Sequence, residues 1–149
     1  MLSGIRAGDR ISGLLSRTPE LLVTILATWR IDTDNPLGFF DRELVASVIA
    51  NVITNATRFA GHALLISIEE EANQLVICVN DDGPGYPQRM LERQEEFIQG
   101  IDSHSGSTGL GLYFAGRIAA LHQRNGVGGY TRISNGGPLG GGVFSLYLP

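Results

Sequence analysis

The stretch that most constrains this chain is Leu75-Val76-Ile77-Cys78-Val79-Asn80-Asp81-Asp82-Gly83-Pro84-Gly85, where an apolar run ends abruptly on two carboxylates and a Gly-Pro-Gly turn. A short apolar run bounded by turn residues reads as a buried strand. The end of that strand holds Asp81 at the mouth of whatever the sheet covers. Gly83 and Gly85 let the backbone turn sharply and let a ligand approach with no Cβ in the way. An ionised carboxylate can only accept hydrogen bonds, so it suits an amino group such as the exocyclic amine of a purine. Asp-Gly and Pro-Gly also make ordinary turns, so this stretch alone does not separate a ligand site from a plain strand end.

A chain of 149 residues, 43% of them hydrophobic, has the length and the apolar content of one domain with a proper core. The expected organisation is therefore a single domain over residues 1–149. Eleven basic residues stand against 15 acidic ones, for a net charge of -4, which leaves no electrostatic footprint for nucleic acid. Every basic residue is an arginine. Without lysine there is no P-loop and no Schiff-base chemistry, and arginine is the strong cation left for phosphate oxygens. Cys78 sits inside the apolar run and reads as a small buried hydrophobe rather than a redox or metal group. The longest apolar stretch, Leu21 to Trp29, is too short to span a bilayer, and Met1 to Arg10 lacks a signal-peptide pattern. The expected setting is cytoplasmic without direct membrane contact, although the parent protein could be a membrane-bound sensor.

Leu21 to Ile31 fits strand or helix by periodicity, and a strand leading into a loop is the expectation there. From Asp41 the pattern sharpens. Asp41 is an N-cap, and Leu44, Val45, Val48, Ile49, Val52, Ile53, Ala56, Phe59 and Ala60 recur at helical spacing. Beside that face runs a stripe of Ser47, Asn51, Asn55 and Arg58. Asparagine is a mediocre helix former, so two of them four apart point either to polar work, such as an amide oxygen on magnesium, or to a pair of structural amides. Leu64, Ile66 and Ile68 alternate as a strand antiparallel to the opening one. Gln88 to Glu96 is charged and mildly helical. Gly100 to Thr108, carrying His104, has few apolar anchors and is expected to be a mobile lid. His104 and His122 lack metal-ligand spacing and read as solvated or structural. Gly106-Ser107-Thr108-Gly109-Leu110-Gly111-Leu112 leads into a helix with Leu112, Ala115, Ile118, Ala119 and Leu121 on its apolar face. Glycines at a helix start expose N–H groups that suit phosphate. The tail supplies strands at Tyr130 to Ser134 and Val143 to Leu148, joined by the glycine-rich Asn135 to Gly142.

The order and spacing of these fragments resemble the ATP-binding fold shared by sensor histidine kinases, DNA gyrase, Hsp90-type chaperones and MutL-type repair proteins, the GHKL superfamily. Asn51 to Phe59 resembles its N box, Asp81 to Gly85 its first glycine box, Phe97 its F box, Gly109 to Leu112 its second glycine box, and Gly140 to Pro149 its closing strand. The motif-bearing part is residues 39–149, with 1–38 taken as the N-terminal part of the same domain. Histidine kinases are the most similar branch.

The resemblance implies a Bergerat fold, a two-layer α/β sandwich in which a mixed, mostly antiparallel sheet is covered by helices on one face beside a mobile ATP lid. It implies ATP and Mg2+ as cofactors. Asp81 would bind the adenine amine, with Gly83 and Gly85 shaping its pocket. Asn55 would ligate magnesium, and Asn51, Arg58 and Phe59 would complete the ATP site from the same helix. Thr108, Gly109, Leu110, Gly111 and Leu112 would meet the phosphates. Asn51 stands where hydrolysing members carry a glutamate, and a neutral amide cannot activate water as that base does, so the resemblance implies phosphoryl transfer to a protein. Partners would be a phosphoacceptor histidine domain, absent from these residues, and a response regulator downstream, with dimerisation only in the full-length protein. An anti-sigma-type serine kinase or a non-catalytic nucleotide-sensing module would use the same boxes. The sequence departs from the pattern at Gln99, near a usual arginine, so that closure on the γ-phosphate is expected to lean on Arg89 or Arg93 instead, and at Gly142, where threonine is frequent.

Overall fold

The computed structural model describes residues 13–14, 40–99 and 106–149. In chain order the elements are β1 (Gly13–Leu14), α1 (Arg42–Phe59), β2 (Leu64–Glu71), β3 (Gln74–Asp81), α2 (Gln88–Glu92), α3 (Gln94–Gln99), α4 (Gly106–Leu121), β4 (Gln123–Arg124), β5 (Val127–Gly128), β6 (Tyr130–Asn135) and β7 (Gly142–Leu148). The expected strand over Leu21 to Ile31 lies outside the described residues, and so does most of the Gly100 to Thr108 lid with His104.

Helix α1 starts where its cap requires. The Asp41 side chain accepts from the Leu44 amide at 3.0 Å, satisfying one of the free N–H groups of the first turn. Strands β2 and β3 form the expected antiparallel pair, from Leu64 opposite Asp81 to Glu71 opposite Gln74. The pair closes through a two-residue turn in which Ala72 and Asn73 both have positive φ, 50° and 62°, matching the twist of the flanking strands.

The main sheet has the order β1-β2-β3-β7-β6, and every pairing in it is antiparallel. No parallel strand of the expected mixed sheet therefore occurs among the described residues. Side chains alternate across a strand, so one face collects Leu64, Ile66, Ile77, Val79, Phe144, Leu146 and Ile133. Helix α1 covers it with Val45, Val48, Ile49, Val52 and Ile53, and α4 with Leu112, Ala115 and Ala119. Ile77 and Leu146 are fully buried, and each such side chain contributes about 2 kcal/mol. Cys78 points to the opposite face, where it is half-buried with its Sγ 3.4 Å from Ser145 Oγ, rather than being the buried hydrophobe expected.

Some residues assigned to apolar faces turn outward. Leu44 and Phe59, at the two ends of α1, are exposed, and Leu121 at the end of α4 is 70% exposed. Leu121 lies on the face of α4 turned away from the core, at a helix end that is otherwise buried through Ala119 and His122. His122 then pins the two helices together. Its Nε2 accepts from the Asp41 amide at 3.0 Å, and its Nδ1, on the Ile118 carbonyl at 2.8 Å, carries the proton. That is the structural role expected of it. No helix of the described residues is long and apolar enough to cross a membrane.

Candidate functional site

Strand β3 carries Asp81 to the core face of the sheet's end, where it is buried to 8% exposure. Its Oδ1 accepts from the Gly83 amide at 2.8 Å and the Gly142 amide at 3.0 Å. Its Oδ2 accepts no hydrogen bond from the described residues and remains available to a donor. The neighbouring Asp82 does something else. It turns away and receives the amides of Gly61 and His62 at 2.8–3.1 Å, tying the turn to the chain leaving α1. Those peptide donors, His62 first and then Ala63, hold its carboxyl below the usual value.

The glycine-rich segment from Asn135 to Gly142 is more than a connection. Its Gly141 amide donates to the Asp81 carbonyl at 3.0 Å. A Cβ at Gly141 would come within 2.4 Å of both that carbonyl and Asp81 Oδ1. Half of the Asp81 setting is therefore supplied from some sixty residues downstream. Sequence reasoning missed Gly141 and Gly142 as donors because glycine clusters advertise flexibility, while here they permit close backbone approach.

A cleft of about 670 Å³ opens beside Asp81, between α1, the turn after β3, α2 and the start of α4. Of the residues singled out from sequence, Asn55, Phe59, Asp81, Gly85, Gly111 and Leu112 line it. Asn51 stands one turn back on α1, its Oδ1 accepting from Asn55 Nδ2 at 3.1 Å. That bond turns the Asn55 Oδ1 away from Asn51 and leaves it free to accept. Gly83 sits behind Asp81, where a Cβ would meet the Phe59 carbonyl at 2.5 Å. Arg58 and Leu110 are exposed and outside the lining. Arg89 of α2 lines the cleft, and with it Tyr86 and Met90, none of which the glycine boxes flag.

The second glycine box differs from its expected form. Helix α4 already runs from Gly106, so Gly109 to Leu112 lie within it. Of the described residues, the amides left without an intrahelical acceptor are those of 106–108, since the fourth residue of a helix donates to the residue before its start, as Val45 does to Asp41. Glycine is a poor helix former, but packing overrides that preference here. A Cβ at Gly111 would stand 2.9 Å from Asn55 Nδ2, so this glycine lets α4 cross α1 at the asparagine pair.

Among the described residues no group of three His, Cys, Asp or Glu could hold a metal ion. A dedicated protein cage is thus absent from them. The one free carboxamide oxygen of Asn55 is a hard oxygen donor of the kind that suits magnesium, an ion that keeps several waters and takes few protein ligands.

The family model described as "Histidine kinase-, DNA gyrase B-, and HSP90-like ATPase" matches residues 40–149. The chain belongs to this family. Within this ATPase family its similar curated relatives include the signal transduction histidine-protein kinase AfsQ2 of Streptomyces coelicolor, 35% identical over 103 residues, covering 68% of this chain and 18% of that protein. The hybrid signal transduction protein dokA of Dictyostelium discoideum is 33% identical over 116 residues, covering 71% of this chain and 7% of that protein. The chain thus spans less than a fifth of the length of these relatives. Among solved structures, the catalytic domain of histidine kinase ThkA superposes with a TM-score of 0.57 at 24% identity, covering 74% of this chain and 68% of that one. That likeness shows the ATPase fold, an antiparallel sheet packed against helices on one face.

Proposed function

We propose that the chain is the Mg-ATP-binding catalytic domain of a two-component sensor histidine kinase, which passes the γ-phosphoryl group to a histidine on a separate domain. The observation that carries this reading is that Asp81 and Asn55, 26 positions apart in different elements, line one cleft. The free Asp81 Oδ2 accepts from the exocyclic amine of adenine and rejects an oxygen at the same place, as guanine would present. Asn55 Oδ1 ligates the magnesium ion that accompanies the triphosphate, and that ion neutralises charge on the transferring group. Arg89, at the same cleft, and Arg58, exposed in the last turn of α1, supply positive charge around the phosphates. The free amides at the start of α4, that of Thr108 among them, face the same guest, and Gly109 follows within the first turn.

Asn51 stands beside the metal ligand as a neutral amide, engaged with Asn55. It cannot take a proton from water, so the bound triphosphate waits for a protein acceptor. A docking surface for that acceptor is at hand on α4, where Leu110, Phe114 and Leu121 are 61%, 50% and 70% exposed on one stripe. The wider partners are the phosphoacceptor histidine domain and a response regulator that receives its phosphoryl group.

The test is calorimetry with ATP and magnesium, followed by labelling with radioactive ATP in the presence and absence of a histidine-bearing helical domain from the same protein. Mg-dependent binding and a label that is acid-labile, appearing only with the acceptor, are expected. An acid-stable label on serine would replace this reading with a serine kinase. Binding without any label on histidine in the full-length protein would end it.

A further inference from the structure

The wall of the cleft nearest Asp81 is built by a residue outside both glycine boxes. Tyr86 follows the Asp-Asp-Gly-Pro-Gly turn, lines the cleft and packs its ring edge against the first residue of β7. A Cβ placed on Gly142 would stand 3.1 Å from Tyr86 Cε2 and 2.9 Å from Asp81 Oδ2. One point in space is thus close both to the ring edge and to the oxygen left free for a donor. The ring and a side chain at position 142 compete for that point. Gly142 does not have positive φ, so the backbone would accept a Cβ and only the crowding forbids it.

The Tyr86 backbone, from which the ring projects, is also held in place. Asn135, at the end of β6, accepts from the Tyr86 amide through Oδ1 at 2.7 Å and donates to the Tyr86 carbonyl through Nδ2 at 2.9 Å. Its carboxamide pairs with the Tyr86 peptide as a neighbouring strand would. Gly85, with φ +80°, passes close enough that a Cβ there would meet the same carboxamide at 2.6 Å. The phenol, mostly buried and near the Asp81 carboxylate, is pushed up to about 12, so it remains a neutral donor over the working range of the protein.

We propose that Tyr86 is a specificity-determining residue of the base pocket, size-coupled to Gly142 and positioned by Asn135, and that it excludes adenine nucleotides carrying a substituent on the exocyclic amine. This rests on the reading that the cleft holds adenine against Asp81. An amine with one hydrogen replaced still has a donor for Oδ2, so rejection of N6-substituted bases comes from the ring edge beside that oxygen.

The experiment is a double-mutant cycle on the 149-residue chain, with dissociation constants for ATP and N6-benzyl-ATP and melting temperatures as the folding control. Wild type is expected to prefer ATP by at least about tenfold. Tyr86→Val narrows that preference to less than about threefold by opening the wall. Gly142→Ala weakens ATP by at least about threefold more when Tyr86 is present than in the Tyr86→Val background, where the Cβ still meets Asp81 Oδ2. Should Tyr86→Val fold poorly, Tyr86→Leu provides the same opening with more retained packing. An equal cost of Gly142→Ala in both backgrounds, or a preference unchanged by loss of the ring, overturns the proposal while leaving ATP binding intact. Wild-type protein that binds no ATP overturns the underlying reading as well.

Discussion

At the Asp81 end of the cleft the polar groups that shape the site come from the backbone, whereas at the Asn55 end they come from side chains on one helix. Asp81 is held by the amides of Gly83 and Gly142, and its carbonyl by that of Gly141. These donors are placed by strand register and turn geometry, which are set when the sheet forms. Asn55 is steadied chiefly by another carboxamide, that of Asn51, on an exposed helix edge. The base end is thus preorganised before a ligand arrives, while the phosphate end keeps acceptors and cations on rotatable side chains. Preorganised groups lose little entropy on binding, and mobile ones must be ordered by the guest.

That contrast can be broken experimentally, and the largest effect is expected at the backbone-built end. Gly141→Ala drives a Cβ into the Asp81 carbonyl and carboxylate, and should cost about 3 kcal/mol of stability in denaturant unfolding together with nucleotide binding. Next comes Asp81→Asn, which keeps the shape but gives the pocket a donor where it had an acceptor. A loss of about 2 kcal/mol, roughly thirtyfold in ATP affinity by calorimetry, is expected with the fold intact.

At the other end, Asn55→Ala should weaken ATP about tenfold in magnesium and hardly at all in its absence. Equal losses with and without the metal would make the asparagine pair purely structural. His122→Ala touches neither end. It removes the bond to the Asp41 amide and should lower stability by about 1 kcal/mol without changing ATP affinity.

The smallest effect concerns Asp82. Its carboxyl titrates below its ordinary value of 3.8 in the folded protein, chiefly through the amides of His62 and Ala63. The folded state therefore binds that proton less readily than the unfolded chain. The stabilisation is present above the unfolded value and is lost as pH falls through the folded one. Melting temperatures of Asp82→Asn should accordingly converge on those of wild type as the pH drops from about 5 to about 3. A gap that widens with acid would reverse the sign of this argument.

Local chemistry made much of this legible in advance. The cap at Asp41, the period of α1 and the alternation of β2 follow from contacts a few residues apart, and the structure has each at the expected place. The asparagine pair was visible because polar residues of poor helix propensity stood next to an apolar face. The β4–β5 hairpin is legible in the same way, since Asn125-Gly126 at its turn is the usual signal and both residues have positive φ. Other features depend on distant neighbours. Two adjacent aspartates look alike in sequence, yet alternation along β3 sends Asp81 into the cleft and Asp82 to the chain leaving α1. The outward turn of Phe59 and Leu121 depends on which face each helix lays against the sheet.

By itself the sequence determined the residue types, their spacing and the local periods, and hence the elements and the family whose boxes they carry. Only the tertiary structure decided that Gly141 and Gly142 finish the Asp81 setting, that Gly111 serves a helix crossing, and that Tyr86 and Asn135 build a wall beside the base. Periodicity arises from bonds within an element, whereas these contacts join residues 49 to 61 positions apart, and no local pattern encodes which distant backbone will come close.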